Sequence, residues 1–179
     1  MKTAAAGVAE RLQAALKQSR LHVAARWVPP ENLHVTLWFI GEADDSRVAS
    51  ISDALSSPLN VPPFALRAGG LGAFPPSGPP RVFWIGIRSG SESLAALHAT
   101  LATRLKPLGL EPEHRAFSAH LTIARVKDVP RRASARIRTR LADTSADVGS
   151  TTVTRATLFR SHVSSKGSTY EALMRIPLT

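Results

Sequence analysis

The chain of 179 residues carries 23 Lys and Arg against 13 Asp and Glu, a formal net charge of +10, with 44% hydrophobic residues and no cysteine. That length suits one domain with a real core, and the absence of cysteine excludes disulfides, thiolate catalysis and cysteine metal sites. The positive excess favours a polyanionic partner, although most of the basic residues are arginines in an alanine-rich chain, so coding bias accounts for part of it.

Residues 5–18 read as a helix, with Val8, Leu12 and Leu16 at helical spacing. Glu10 and Arg11 interrupt this Ala-rich start before a signal-peptide core forms. No apolar run reaches the roughly 18 residues of a membrane span, so a cytoplasmic location is expected. Pro29-Pro30 closes the next segment, and Leu33 to Ile40 alternates as a strand ended by Gly41. Asp44, Asp45 and Ser46 are candidate caps for a helix carrying Val48, Ile51 and Leu55, stopped by Pro58. Phe64 to Arg67 is a short strand. GGLGAFPPSGPP (69–80) reads as a Gly/Pro loop without regular structure, and Arg81 to Ile87 as an apolar strand covered on both faces.

Ser91 or Ser93 is placed to cap a helix with the stripe Leu94, Leu97, Leu101 and Leu105, ended by Pro107 and Gly109. His98 among these leucines reads as a packed residue. Phe117 to Arg125 is a second strand resembling the one at 33–40, and 131–142 a basic helix. Arg125, Lys127, Arg131, Arg132, Arg136, Arg138 and Arg140 crowd this stretch, either as a solvated face or as a nucleic-acid contact. Val153 to Ser161, a turn at SSKG and Thr169 to Ile176 form a terminal hairpin. Strands and helices in this order give an α+β domain with antiparallel or mixed sheets, residues 1–179 forming one domain.

The chemistry concentrates in two matching strands, His34-Val35-Thr36-Leu37 and His120-Leu121-Thr122-Ile123, one in each half of the chain. Each reads His, apolar, Thr, apolar. Side chains alternate on a strand, so each His shares a face with its Thr while the apolar pair anchors the other face. Two imidazoles suit a proton donor and acceptor because their unperturbed pKa lies near 6.5. Hydroxyls and a nearby Arg suit phosphoryl oxygens. Nothing in this scheme needs a metal or cofactor. No HExxH, G-x-S-x-G or GxxxxGK[ST] pattern is present, and Glu31, Glu42, Glu111, Glu113 and Asp128 are few near either motif. His22, His114 and His162 read as surface residues, the last two open to a substrate role if their loops border a cleft.

RWVPPENLHVTLWFIGE (26–42), GGLGAFPPSGPPRVFWIGI (69–87), FSAHLTIARV (117–126) and LFRSHVSSKGSTYEALMRIPL (158–178) resemble, in order, segments of the RNA 2′,3′-cyclic phosphodiesterases, also called 2′-5′ RNA ligases, of the two-histidine phosphoesterase superfamily. The resemblance implies a bilobal fold, with two sheets flanking a central cleft, helices outside and the two His-x-Thr strands facing across the cleft. It implies metal-independent hydrolysis of an RNA 2′,3′-cyclic phosphate end to a 2′-phosphate, together with reversible 2′-5′ RNA ligation. By position, His34 would be the general acid and His120 the general base; Thr36, Thr122 and Arg125 would hold the phosphate. The implied partner is RNA with a cyclic phosphate end, bound by a monomer without cofactor or membrane. A phosphoesterase for small cyclic nucleotides and a silent RNA-binding protein are the alternatives.

Three departures from the family stand out. The chain begins near the first helix, where the family usually has an apolar strand. Trp38 replaces a frequent basic residue, placed either to stack on a base or to pack at the strand end. Ala119 replaces a common Pro. Strict alternation also turns Arg125 away from His120, so its role requires a bulge in that strand.

Overall fold

The computed structural model describes residues 1–113, 115–164 and 167–179. In chain order its elements are α1 (Lys2–Gln18), β1 (Ala24–Trp27), α2 (Asp45–Ala54), β2 (Phe64–Phe74), β3 (Val82–Ser89), α3 (Ser91–Leu105), β4 (His120–Lys127), α4 (Ser134–Asp143), β5 (Asp147–Val153), β6 (Arg155–Ser164) and β7 (Gly167–Pro177). The fold is α+β, as the alternation of strand-period and helix-period segments requires. Its contacts divide the chain into two compact units. One comprises 1–35, 66–89 and 119–151; the other comprises 36–65, 90–118 and 152–179.

In the first unit a five-stranded sheet runs β1-β4-β3-β2-β5, with the β1–β4, β4–β3 and β3–β2 pairs antiparallel. Helix α1 buries Ala5, Val8, Leu12 and Leu16, and α4 buries Ile137 and Leu141, against Phe83, Ile85, Leu121, Ile123, Ala124 and Val126 of the sheet. Fully burying a side chain of this size contributes about 1.5–3 kcal/mol, so both helices are held to one sheet face. The other face is left for polar groups.

In the second unit Ile51 and Leu55 of the α2 segment and Leu97, Leu101 and Leu105 of α3 pack on Ala156, Leu158 and Ile176 of the β6–β7 hairpin. Asp44 caps α2 by accepting from the Arg47 amide at 2.8 Å, the role its position predicts. Helix α3 instead starts after Gly90, at φ 89°, with no side-chain cap from Ser91 or Ser93. The hairpin strands run closer to the turn than expected, to Ser164 and from Gly167, while the first begins at Arg155 rather than Val153. Ser165 and Lys166 of the predicted turn lie outside the described residues.

Three expectations change. Leu33 to Ile40 is not a regular strand; only Val35 bridges, to Leu121. The glycines of 69–72 are not a loop, because β2 continues to Phe74, with register shifts between Arg67 and Leu71. These glycines make room for overlying side chains rather than for a turn. Strand β3 is not covered on both faces: Phe83 and Ile85 are fully buried, while Val82 and Trp84 are half-buried on the opposite side. Among the described residues, no helix is long and apolar enough to cross a membrane.

Candidate active site

Strand β4 builds one side of the site. Leu121 and Ile123 point into the helix-covered core, so His120 and Thr122 point to the open face. The pairing with β3 then slips: Trp84 lies opposite Thr122, but Phe83 lies opposite Ala124. That extra residue is a β-bulge, which resets the alternation. Ala124 and Val126 are consequently buried, and Arg125 and Lys127 emerge on the same face as His120. The bulge that a phosphate role for Arg125 requires is present.

The other side is an edge run interrupted once. Strand β1 pairs with residues 124–127 of β4, and the Val28 amide donates to the Ile123 carbonyl at 2.9 Å. Pro29 and Pro30 have no N–H to continue the ladder. The chain turns out through a 3-10 segment, Pro30–Asn32, and Leu33, only 3% exposed, plugs it back into the core. The run rejoins β4 where Val35 bridges Leu121. Leu33 and Val35 face inward, so exposed His34 faces the side that carries His120.

The antiparallel bridge fixes the relation of the two imidazoles. With Val35 opposite Leu121, His34 lies across from Thr122, and His120 is its diagonal neighbour, a separation of about 7–8 Å between backbone positions. Both histidines therefore belong to the first unit, on adjoining segments of one sheet face, rather than one to each unit.

The two rings are held differently. His34 Nδ1 donates to the Asn32 carbonyl at 2.7 Å. A carbonyl only accepts, so Nδ1 keeps its proton and Nε2 is the nitrogen available for proton exchange. His120 is walled by aromatics: Phe74 meets it edge-on at 5.0 Å and 78°, and Trp84 lies 6.4 Å away. Phe74 and Trp84 contact each other at 5.4 Å. The Trp84 indole lies flat on the sheet over Gly72, where any β-carbon would overlap it, and 3.3 Å from the β-carbon position of Gly86. Its Nε1 is buried with no hydrogen-bond partner among the described residues.

Thr36 is exposed, two residues along from His34, and belongs to the second unit. Trp38 is packed with Leu37 and Ile40 on the second core, which resolves its two readings in favour of packing. His98 lies between Trp38, at 5.0 Å, and Phe117, stacked at 4.6 Å. Burial pushes its imidazole below the ordinary value of 6.5. His162 is exposed and pairs with Glu171 at 3.1 Å, His22 is exposed, and His114 lies outside the described residues.

The basic run is split. Arg136 holds the Ser19 carbonyl at 3.1 Å, Arg138 holds the Pro75 and Gly78 carbonyls at 2.7 and 3.0 Å, and Arg140 pairs with Asp143 at 3.7 Å. Much of the charge on α4 thus ties down neighbouring backbone. Among the described residues, no three His, Asp or Glu side chains cluster to hold a metal ion. The sequence reading missed Phe74, Trp84 and Gly72, because their proximity to His120 depends on cross-strand register.

A family model of the 2′-5′ RNA ligase superfamily matches residues 3–164. An RNA 2′,3′-cyclic phosphodiesterase of Archaeoglobus fulgidus is 39% identical over 120 residues, covering 67% of this chain and 66% of the relative. A protein of the same name from Aeropyrum pernix is 33% identical over 165 residues, covering 91% and 93%. Among solved structures, a Thermus thermophilus protein superposes with TM-score 0.74 at 26% identity, covering 96% of this chain and 92% of that one. E. coli LigT in complex with 3′-AMP superposes with TM-score 0.69 at 26% identity, with the same coverage.

Proposed function

This chain belongs to the 2′-5′ RNA ligase superfamily, and we propose from that premise that it is an RNA 2′,3′-cyclic phosphodiesterase acting through His34 and His120. The relatives' names support the activity. The observation that carries the residue assignment is the Val35–Leu121 bridge, which sets both histidines on one exposed sheet face.

In the proposed reaction, His120 takes a proton from water as the water oxygen bonds to phosphorus. The P–O3′ bond breaks, and His34 Nε2 delivers a proton to the departing 3′ oxygen, leaving a 2′-phosphate and a free 3′-hydroxyl. Donation from Nδ1 to the Asn32 carbonyl orients the ring and leaves Nε2 as the nitrogen that exchanges the proton. Thr122, Thr36 and Arg125 hold the phosphoryl oxygens and offset the charge gained in the transition state. Ligation follows the same course with an RNA 5′-hydroxyl in place of water: His120 takes its proton, the P–O3′ bond breaks with protonation by His34, and a 2′-5′ phosphodiester forms. Residues 1–179 act as one catalytic domain, a monomer in the cytoplasm, with neither metal nor cofactor taking part.

The test is an oligoribonucleotide ending in a 2′,3′-cyclic phosphate, incubated with wild type, His34→Ala and His120→Ala, with and without EDTA. A 2′-phosphate product that resists EDTA and is lost in each variant is expected. Loss with EDTA overturns the metal-free scheme, full activity in either variant overturns the histidine pair, and binding without turnover by wild type points to a silent RNA-binding protein.

A further inference from the structure

We infer that Arg26 and Lys127, flanking the Arg125 assigned to the reactive phosphate, form a cationic track along the edge of the catalytic sheet face, and that this track holds the RNA backbone phosphates on the 5′ side of the reactive end. The inference rests on the RNA reading above and extends it to residues outside the two His-x-Thr patterns.

Register carries the argument. Arg26 is the direct cross-strand partner of Arg125, and Ala24 that of Lys127. Ala25 and Trp27 pack into the core beside Val126 and Ala124, so Arg26 must emerge on the face shared by Arg125, Lys127, Thr122 and His120. All three cations are exposed. Beyond the bulge, Arg125 and Lys127 follow His120 and Thr122 along the same strand, and each pair of residues advances about 6.8 Å, of the order of one nucleotide step. A chain leaving the reactive phosphate at Arg125 would therefore meet Arg26 beside it and Lys127 one step further along β4.

Charge supports the same occupant. Neither AARW (24–27) nor HLTIARVK (120–127) contains an acidic residue. Like charges directly opposite on antiparallel strands destabilise the pair, so setting two guanidinium groups at Arg26 and Arg125 works against folding. A polyanion relieves that repulsion; an apolar or cationic partner does not. In α4, Arg136 and Arg138 hold protein carbonyls and Arg140 pairs with Asp143.

The experiment measures binding of a hexaribonucleotide with a 2′-phosphate end by fluorescence anisotropy between 50 and 300 mM salt. Wild type, Arg26→Gln, Lys127→Gln and the double variant are compared, with competition by a nucleoside 2′-monophosphate as the control. Each phosphate contact contributes about 0.7 to the slope of log K against log salt on a single strand. The slope should fall by about that amount in each single variant and by twice that in the double one. Affinity for the mononucleotide should fall far less than affinity for the hexamer. Arg26→Lys, which keeps the charge, should retain the slope and separates charge from folding.

An unchanged slope in the double variant, or equal losses on mononucleotide and hexamer, overturns the track. The binding assay needs no turnover. A wild type that binds with the expected salt slope yet leaves cyclic ends intact would sink the proposed activity and leave the track standing.

Discussion

The two histidine segments share one four-residue pattern and little else. His120 begins a continuous inner strand with neighbours on both sides, and Phe74 and Trp84 wall its ring. His34 sits on an edge run broken by Pro29 and Pro30, exposed, with its ring fixed by the Asn32 carbonyl two residues back. The first is positioned by tertiary packing and the second by a local hydrogen bond. The proposed proton acceptor and donor thus rest on different supports, and each support can be removed without touching the other histidine.

The largest effects come from the rings themselves. His34→Asn and His120→Asn should each lower kcat/KM by about 10²–10⁴, and their residual pH profiles should differ. The acid limb of a bell-shaped profile reports the group that must be unprotonated, and the alkaline limb the group that must be protonated. His120→Asn should erase the acid limb and His34→Asn the alkaline limb. The opposite result would exchange the two roles, and loss of both limbs in each variant would show that the two titrate as one unit.

A smaller and more selective effect is expected at Gly72. A methyl group there overlaps the Trp84 ring, and forcing a side chain into such a site costs about 1–3 kcal/mol. Gly72→Ala should lower the thermal midpoint and displace the limb that belongs to His120, leaving the His34 limb in place. Adding Trp84→Leu should recover stability but not activity, since the wall beside His120 stays lost. Equal movement of both limbs would mean that the aromatic wall has no particular relation to His120.

What was legible beforehand follows the same division. Helix spacing exposed Val8, Leu12 and Leu16 and the leucines of 94–105, and the repeated His-x-Thr pattern exposed the chemistry, because both are set by local periodicity. The bulge that turns Arg125 outward was legible only as a requirement. The glycines of 69–72 misled because glycine marks a turn and a close approach equally, and only the β2–β3 register reveals Trp84 above Gly72. Arg26 lies outside the His-x-Thr pattern; its place opposite Arg125 is a fact of pairing.

The smallest expected effect tests a histidine with no part in the proposed chemistry. His98 is stacked between Trp38 and Phe117, and burial holds its imidazole below 6.5 in the folded protein. The unfolded chain therefore binds more protons as pH falls through 6.5, and stability must fall with it until the lower folded value is passed. The depressed carboxyls of Asp44 and Asp147 act in a separate window, below their ordinary 3.8. Urea unfolding at pH 7.5 and pH 5 thus isolates the histidine. His98→Phe, which keeps an aromatic in the stack, should reduce the difference in stability between those two pH values while kcat at pH 7.5 stays near wild type. An undiminished pH dependence would place the titrating group elsewhere, and a collapse of activity would draw the second unit's histidine into the reaction alongside His34 and His120.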